Sequence, residues 1–202
     1  MDWQMELETL GKRAKVAARQ LGAASTAQKN QALLTMADRL LTEQDRILAA
    51  NAADMATGKT KGLSAALLDR LLLTPARIEA MAERLRQVAA LPDPIGECVS
   101  GVRRPNGLEI RKVRVPFGVI AMIYEARPNV TVDAAGLCLK TGNAVILRGG
   151  SEAIESNKAL AAILIEAGRV AGLPDGTVSL IETTDREAVN RLLKLNRYID
   201  VI

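Results

Sequence analysis

The sequence predicts an α/β fold in which helices come first, a β-hairpin follows, and a mostly parallel sheet closes the order. Three observations predict it. Apolar residues recur at helical spacing through residues 1–97, and an Asn106-Gly107 dipeptide separates two β-capable runs within 98–116. From residue 117 to residue 202, runs of four to six β-branched and apolar residues alternate with helical patterns. The chain therefore divides into a helical part (1–97), a hairpin (98–116) and a βαβ part (117–202).

Each element has its own signal. Leu10, Ala14, Ala17 and Leu21 share one face of the opening helix, and Leu33, Ala37, Leu40 and Leu41 share a face of the next, behind a Ser25-Thr26 cap. The pattern continues over 47–55, with Gly58 and Gly62 after it, and a short helix is expected over 67–72. Thr74-Pro75 reads as an N-cap followed by proline at the first helical position, opening a helix with Ile78, Ala82, Leu85 and Ala89 on one face. Strands are expected over 99–103 and 108–115 in the hairpin, then over 118–123, 144–147, 177–181 and 198–202. Helices are expected over 130–140 and 155–170, and Thr184-x-x-Glu187 reads as a capping box for one more. A parallel strand is ordinarily buried on both faces. A chain ending within the last of them is expected to be part of a longer product.

Composition excludes several classes of function. Hydrophobic residues make up 49% of the 202 and aromatics 2%, so Ala and Leu carry the packing. There is no histidine, which removes Ser-His-Asp and Cys-His catalysis from these residues and argues against a transition-metal site. Cys98 and Cys138 are too few for a disulfide framework or a zinc site, and both read as small packed residues rather than nucleophiles. The net charge of +4 comes from 27 basic residues interspersed with 23 acidic ones, which describes a solvated surface and not a nucleic-acid footprint. The opening MDWQMELETL has neither a basic n-region nor an apolar h-region, and no apolar run approaches the roughly 18 residues of a membrane span. A soluble, cytoplasmic protein is expected, without membrane or nucleic-acid partners.

Two stretches concentrate polar chemistry where open α/β sheets bind ligands, at the carboxyl ends of strands. Tyr124, Glu125, Arg127 and Asn129 follow the first parallel strand, and Asn129 also stands where it can cap the next helix. Arg148, Gly149, Gly150 and Ser151 follow the second, with Glu152 adjacent. There the glycines admit a ligand to the backbone and the guanidinium can grip a phosphate. A polar βα loop with a surface arginine accounts for the same residues. Neither G-x-G-x-x-G nor G-x-x-x-x-G-K-[ST] occurs. Residue types alone stop at an α/β ligand-binding domain.

The run VPFGVIAMIYEARPNVTVDAAGLCLKTGNAVILRGG (115–150) resembles γ-glutamyl phosphate reductases, a family of the aldehyde dehydrogenase superfamily. Its YEARPNVTVD and LCLKTGNAVILRGG segments are near-diagnostic, and GLSAALLDRLLLTPARI (62–78) and RYIDVI (197–202) extend the similarity over essentially the whole chain. The resemblance implies an aldehyde dehydrogenase-like nucleotide-binding domain, with residues 1–97 as its helical part, 98–116 as an oligomerisation arm and 117–202 as its βαβ part, incomplete at the C-terminus. It implies NADPH-dependent reduction of L-glutamate 5-phosphate to the 5-semialdehyde in proline biosynthesis, a homo-oligomer, and a functional association with glutamate 5-kinase. Arg148, Gly149, Gly150 and Ser151 would bind the cofactor. Arg148 would meet the 2′-phosphate, and Ser151 stands where NAD-preferring relatives often place a glutamate. Tyr124, Glu125, Arg127 and Asn129 would border the nicotinamide and substrate channel. The family's nucleophilic cysteine is expected beyond residue 202, so the chain carries no catalytic residue of its own. The alternative reading is a non-catalytic nucleotide-binding or scaffold module.

Overall fold

The structure is a computed structural model that describes residues 3–202, so the first two positions of the opening segment lie outside the described residues. Helices come first: α1 (Trp3–Leu21), α2 (Thr26–Thr42), α3 (Gln44–Thr60), α4 (Ala65–Leu71) and α5 (Pro75–Ala90). Three begin at side-chain caps. Ser25, Ser64 and Thr74 accept hydrogen bonds from the backbone N–H of Gln28, Leu67 and Arg77, and Pro75 follows its cap as expected. Helix α3 is longer than the expected 47–55 and runs through Gly58, which is buried; Asn51 and Asp54, which interrupt the apolar pattern, are buried as well.

Strands β1 (Cys98–Arg103) and β2 (Glu109–Val113) pair antiparallel with Val102 opposite Ile110. The turn joining them places Gly107 at φ 87°, a left-handed conformation that residues with a Cβ rarely adopt. Every residue of both strands is exposed. Cys98 is therefore not the packed residue that was expected: it opens β1 on a ribbon that no other element covers among the described residues.

The parallel sheet has the order β3 (Val119–Ile123), β4 (Ala144–Arg148), β5 (Val178–Leu180). The crossovers are α6 (Asn129–Lys140) and then α7 (Ile154–Val170), which continues a short 3₁₀ turn, Ser151–Ala153. Ala144, Val145, Ile146 and Leu147 are fully buried, as an apolar run in a central parallel strand requires. Helices α1, α6 and α7 pack on the sheet, and α2, α3 and α5 pack on α6 and α7. One continuous core joins Leu7 on α1 to Ile199. No helix among the described residues is long and apolar enough to cross a membrane.

Three local expectations are corrected. The strand expected over 198–202 is a single parallel bridge between Ile120 and Val201, and Val201 and Ile202 are exposed because no element lies over them among the described residues. Helix α8 (Arg186–Leu192) is capped not by Thr184 but by Asp185, whose carboxylate accepts from Glu187 N at 2.9 Å. Asn129 does not cap α6. Pro128 already has helical dihedrals and occupies the cap position, so the Asn129 amide falls one residue too late and donates instead to Asp133 Oδ2 at 3.1 Å.

Candidate functional site

The two polar stretches meet. Strands β3 and β4 are in register with Ile123 beside Arg148, so the loops that follow leave the sheet side by side. The N–H of Tyr124 donates to the carbonyl of Arg148 at 3.1 Å, and the Tyr124 ring lies against Gly149. A Cβ on Gly149 would overlap Asn157 Nδ2 and stand 3.0 Å from Tyr124 Cε2; one on Gly150 would stand 3.0 Å from Ala126 N and 2.8 Å from Glu152 Oε2. Glycine at both positions is thus a packing requirement, the space beside them being filled by the protein's own atoms.

Arg148 spans two strand ends. One terminal nitrogen donates to its neighbour's carbonyl, Gly149 O, at 3.0 Å and the other approaches Thr184 O, beyond β5, at 3.4 Å. Its Nε is buried and has no partner among the described residues. A guanidinium with five N–H groups and two backbone contacts retains donors for an anion at the carboxyl edge of β4 and β5. Ser151 is exposed on the 3₁₀ turn immediately after Gly150.

The N-terminus of the helix after these glycines is already taken. Asp54 of α3 accepts from Glu155 N at 3.2 Å, Ser156 N at 2.8 Å and Ser156 Oγ at 2.6 Å. A carboxylate on the first turn of α7 satisfies its orphan donors and repels a phosphate from the place where dinucleotide folds commonly hold one. Beside the glycines, Arg148 and the loop backbone are what remains to meet an anion. Asn51 completes the support, donating to Leu71 O at 2.8 Å and Ser156 Oγ at 3.0 Å and accepting from Leu73 N at 2.8 Å.

Tyr124 turns its hydroxyl inward to Thr131 Oγ1, 2.7 Å away, and Thr131 in turn donates to Asn157 Oδ1 at 2.9 Å. Burial pushes the phenol up to about 12 against the smaller opposing effect of the Thr131 hydrogen bond. Tyr124 is thus a neutral wall of the glycine loop at ordinary pH. Glu125 is exposed and pairs loosely with Arg70 at 3.6 Å. Arg127 is exposed and has no ion pair among the described residues.

Sequence reading missed what faces this loop from the helical part. A cavity of about 470 Å³ lies between α4, α5 and the loop, and Arg70, Arg77, Arg84, Arg127, Asp69 and Asn129 border it. Arg77 and Arg84 are two helical turns apart, which places them on one face of α5, and that spacing was available in the sequence.

The sequence model of the aldehyde dehydrogenase family matches residues 4–202. The chain belongs to the aldehyde dehydrogenase family. It is 63% identical over 202 residues to the gamma-glutamyl phosphate reductase of Moorella thermoacetica, covering 100% of this chain and 48% of that protein. The crystal structure of gamma-glutamyl phosphate reductase from Thermotoga maritima superposes with a TM-score of 0.95 at 40% identity, covering 97% of this chain and 48% of that one. The Saccharomyces cerevisiae enzyme of the same name superposes at 0.88 and 33% identity, over 96% and 49%. A probable aldehyde dehydrogenase from Listeria monocytogenes, 17% identical with a TM-score of 0.75, shares the fold. The chain spans about half the length of the relatives it matches. Within this aldehyde dehydrogenase family chain, neither cysteine is placed as a nucleophile of the site. Cys98 lies on the hairpin, and Cys138 is buried in α6, where burial pushes its thiol up to about 11.

Proposed function

We propose that this chain is the cofactor-holding part of an oxidoreductase that reduces L-glutamate 5-phosphate to L-glutamate 5-semialdehyde and phosphate, with NADPH as reductant. The observation that carries the reading is its 63% identity, over the whole chain, with a gamma-glutamyl phosphate reductase. NADPH would supply the hydride. The residues present fit it. Arg148 keeps donors beyond its two backbone contacts for the 2′-phosphate, Ser151 brings no negative charge against that phosphate, and Gly149 and Gly150 hold the loop close against Tyr124 and Ala126. Tyr124 walls the loop, and Arg127 and Asn129 border the cavity on the substrate side. The thiolate that attacks the acyl phosphate we place outside these residues, so the chain by itself holds the cofactor without turnover. The exposed hairpin, with Val99, Val102, Ile110 and Val113 uncovered, is suited to pair with a second copy, since an uncovered ribbon edge is otherwise open to unspecific pairing.

The test is the reverse reaction in the intact protein: phosphate-dependent reduction of NADP with glutamate 5-semialdehyde. Activity that requires both phosphate and the semialdehyde is expected. Activity with aldehydes generally and indifferent to phosphate would sink the reading.

A further inference from the structure

We propose that the cavity between α4, α5 and the loop before α6 is a carboxylate subsite, and that Arg127 and Arg84 are its specificity-determining residues. The inference rests on the reductase reading for the identity of the substrate, whose end remote from the acyl phosphate is a carboxylate.

The four guanidiniums around the cavity differ in how far they are committed. Arg77 is used internally: it donates to the carbonyls of Asp69 and Leu72 and pairs with Asp69 Oδ1 at 2.8 Å, which fastens the start of α5 to the end of α4. Arg70 has only its 3.6 Å contact with the exposed Glu125. Arg84 meets Asp133 Oδ1 through Nε at 3.1 Å, and its terminal nitrogens have no partner among the described residues. Asp133 also receives Asn129, so this carboxylate is shared between two donors that both border the cavity. Arg127 has no anionic partner among the described residues. Four positive groups thus face three carboxylates, those of Asp69, Asp133 and Glu125, and Arg127 is the one left over.

A single unpaired guanidinium on a surface is ordinary. Here it stands at the rim of a cavity, two residues before α6, whose N-terminus has no side-chain cap and so adds a positive dipole end. The volume, about 470 Å³, is that of a small-molecule site. None of Arg148, Gly149, Gly150 or Ser151 borders it. With the glycine loop given to the 2′-phosphate end of the dinucleotide, a substrate that reacts at the nicotinamide end, beside the loop that carries Arg127 and Asn129, would place its remote carboxylate in this cavity. A bidentate contact with Arg127 would favour a planar carboxylate.

The experiment is calorimetric titration of the intact protein with glutarate, its neutral diamide, and inorganic phosphate. Glutarate is expected to bind and the diamide not. Arg127→Ala and Arg84→Ala should each weaken glutarate roughly 10- to 100-fold, and Arg127→Lys by less, with NADPH affinity unchanged. Both arginines are exposed, so their replacement leaves the core in place. No glutarate binding by the unmodified protein, equal glutarate binding in Arg127→Ala, or an effect of Arg127→Ala on phosphate and not on glutarate would each overturn the proposal. The reductase reading is scored apart. Arginine-dependent glutarate binding without phosphate-dependent turnover keeps the subsite and sinks the reductase. Turnover with the semialdehyde KM unmoved in Arg127→Ala does the reverse.

Discussion

The backbone N–H of Tyr124 donates to the carbonyl of Arg148 across 3.1 Å, and that bond ties the two site loops together at the point where both leave the sheet. Gly149 sits in the angle they form, against Asn157 and the Tyr124 ring. Gly149→Ala should therefore cost about 1–3 kcal/mol of stability, typical of overpacking, and weaken NADPH binding as well. Urea unfolding and a fluorescence titration with NADPH check this. Unchanged values for both would show that the loop has room the structure does not show.

Asp54 should matter although it lies on α3, far from the glycine loop in sequence. Asp54→Ala leaves the buried Ser156 hydroxyl and the first N–H groups of α7 without their acceptor, at about 1–3 kcal/mol for each group left unsatisfied. Asp54→Asn should retain part of the support. A fall in thermal stability below one degree for Asp54→Ala would contradict the capping role.

Much of this arrangement was legible in the sequence and some was not. The apolar runs of β3 and β4, the Thr74-Pro75 start of α5 and the Asn106-Gly107 turn are local signals, and local chemistry decides them. Asp54 on Ser156 and the approach of Arg77 and Arg84 to Arg127 depend on how α3 and α5 pack on α7 and α6, which no local pattern encodes. Asn129 failed as a cap for a smaller reason, because Pro128 took helical dihedrals first.

The cysteines should separate by reactivity. Cys98 is exposed, whereas Cys138 is buried with its thiol raised to about 11, so little of it is thiolate at neutral pH. Alkylation with iodoacetamide at about pH 8 should modify Cys98 long before Cys138, with the two equalised in denaturant. Equal rates in the native protein would contradict the packing of α6.

Acid should weaken the α2 anchor. Burial alone would raise the Asp93 carboxyl, but hydrogen bonds from Lys29 at 2.6 Å, Thr26 and Ile95 N outweigh it and hold it below its ordinary 3.8. The folded state then releases this proton more readily than the unfolded state. The stabilisation is whole above about pH 5 and is lost as pH falls through the lowered folded value. Unfolding free energies measured across this range should fall less steeply for Asp93→Asn than for the unmodified protein. Parallel slopes would remove Asp93 from the account.

Under the proposed function, Arg148 would read the cofactor's 2′-phosphate. A charge-assisted contact of this kind is worth about 1.5–3 kcal/mol, or roughly 10- to 150-fold in affinity. Ser151→Glu should lower NADPH use by repulsion, and combined with Arg148→Ala should be less than additive because both act on one phosphate. The measurement is kcat/KM with NADPH and with NADH in the intact protein, before and after Arg148→Ala. The account predicts that the NADPH value falls by about that factor while the NADH value changes little. An equal fall for both cofactors would place Arg148 on a group they share, or in the scaffold, and would contradict it.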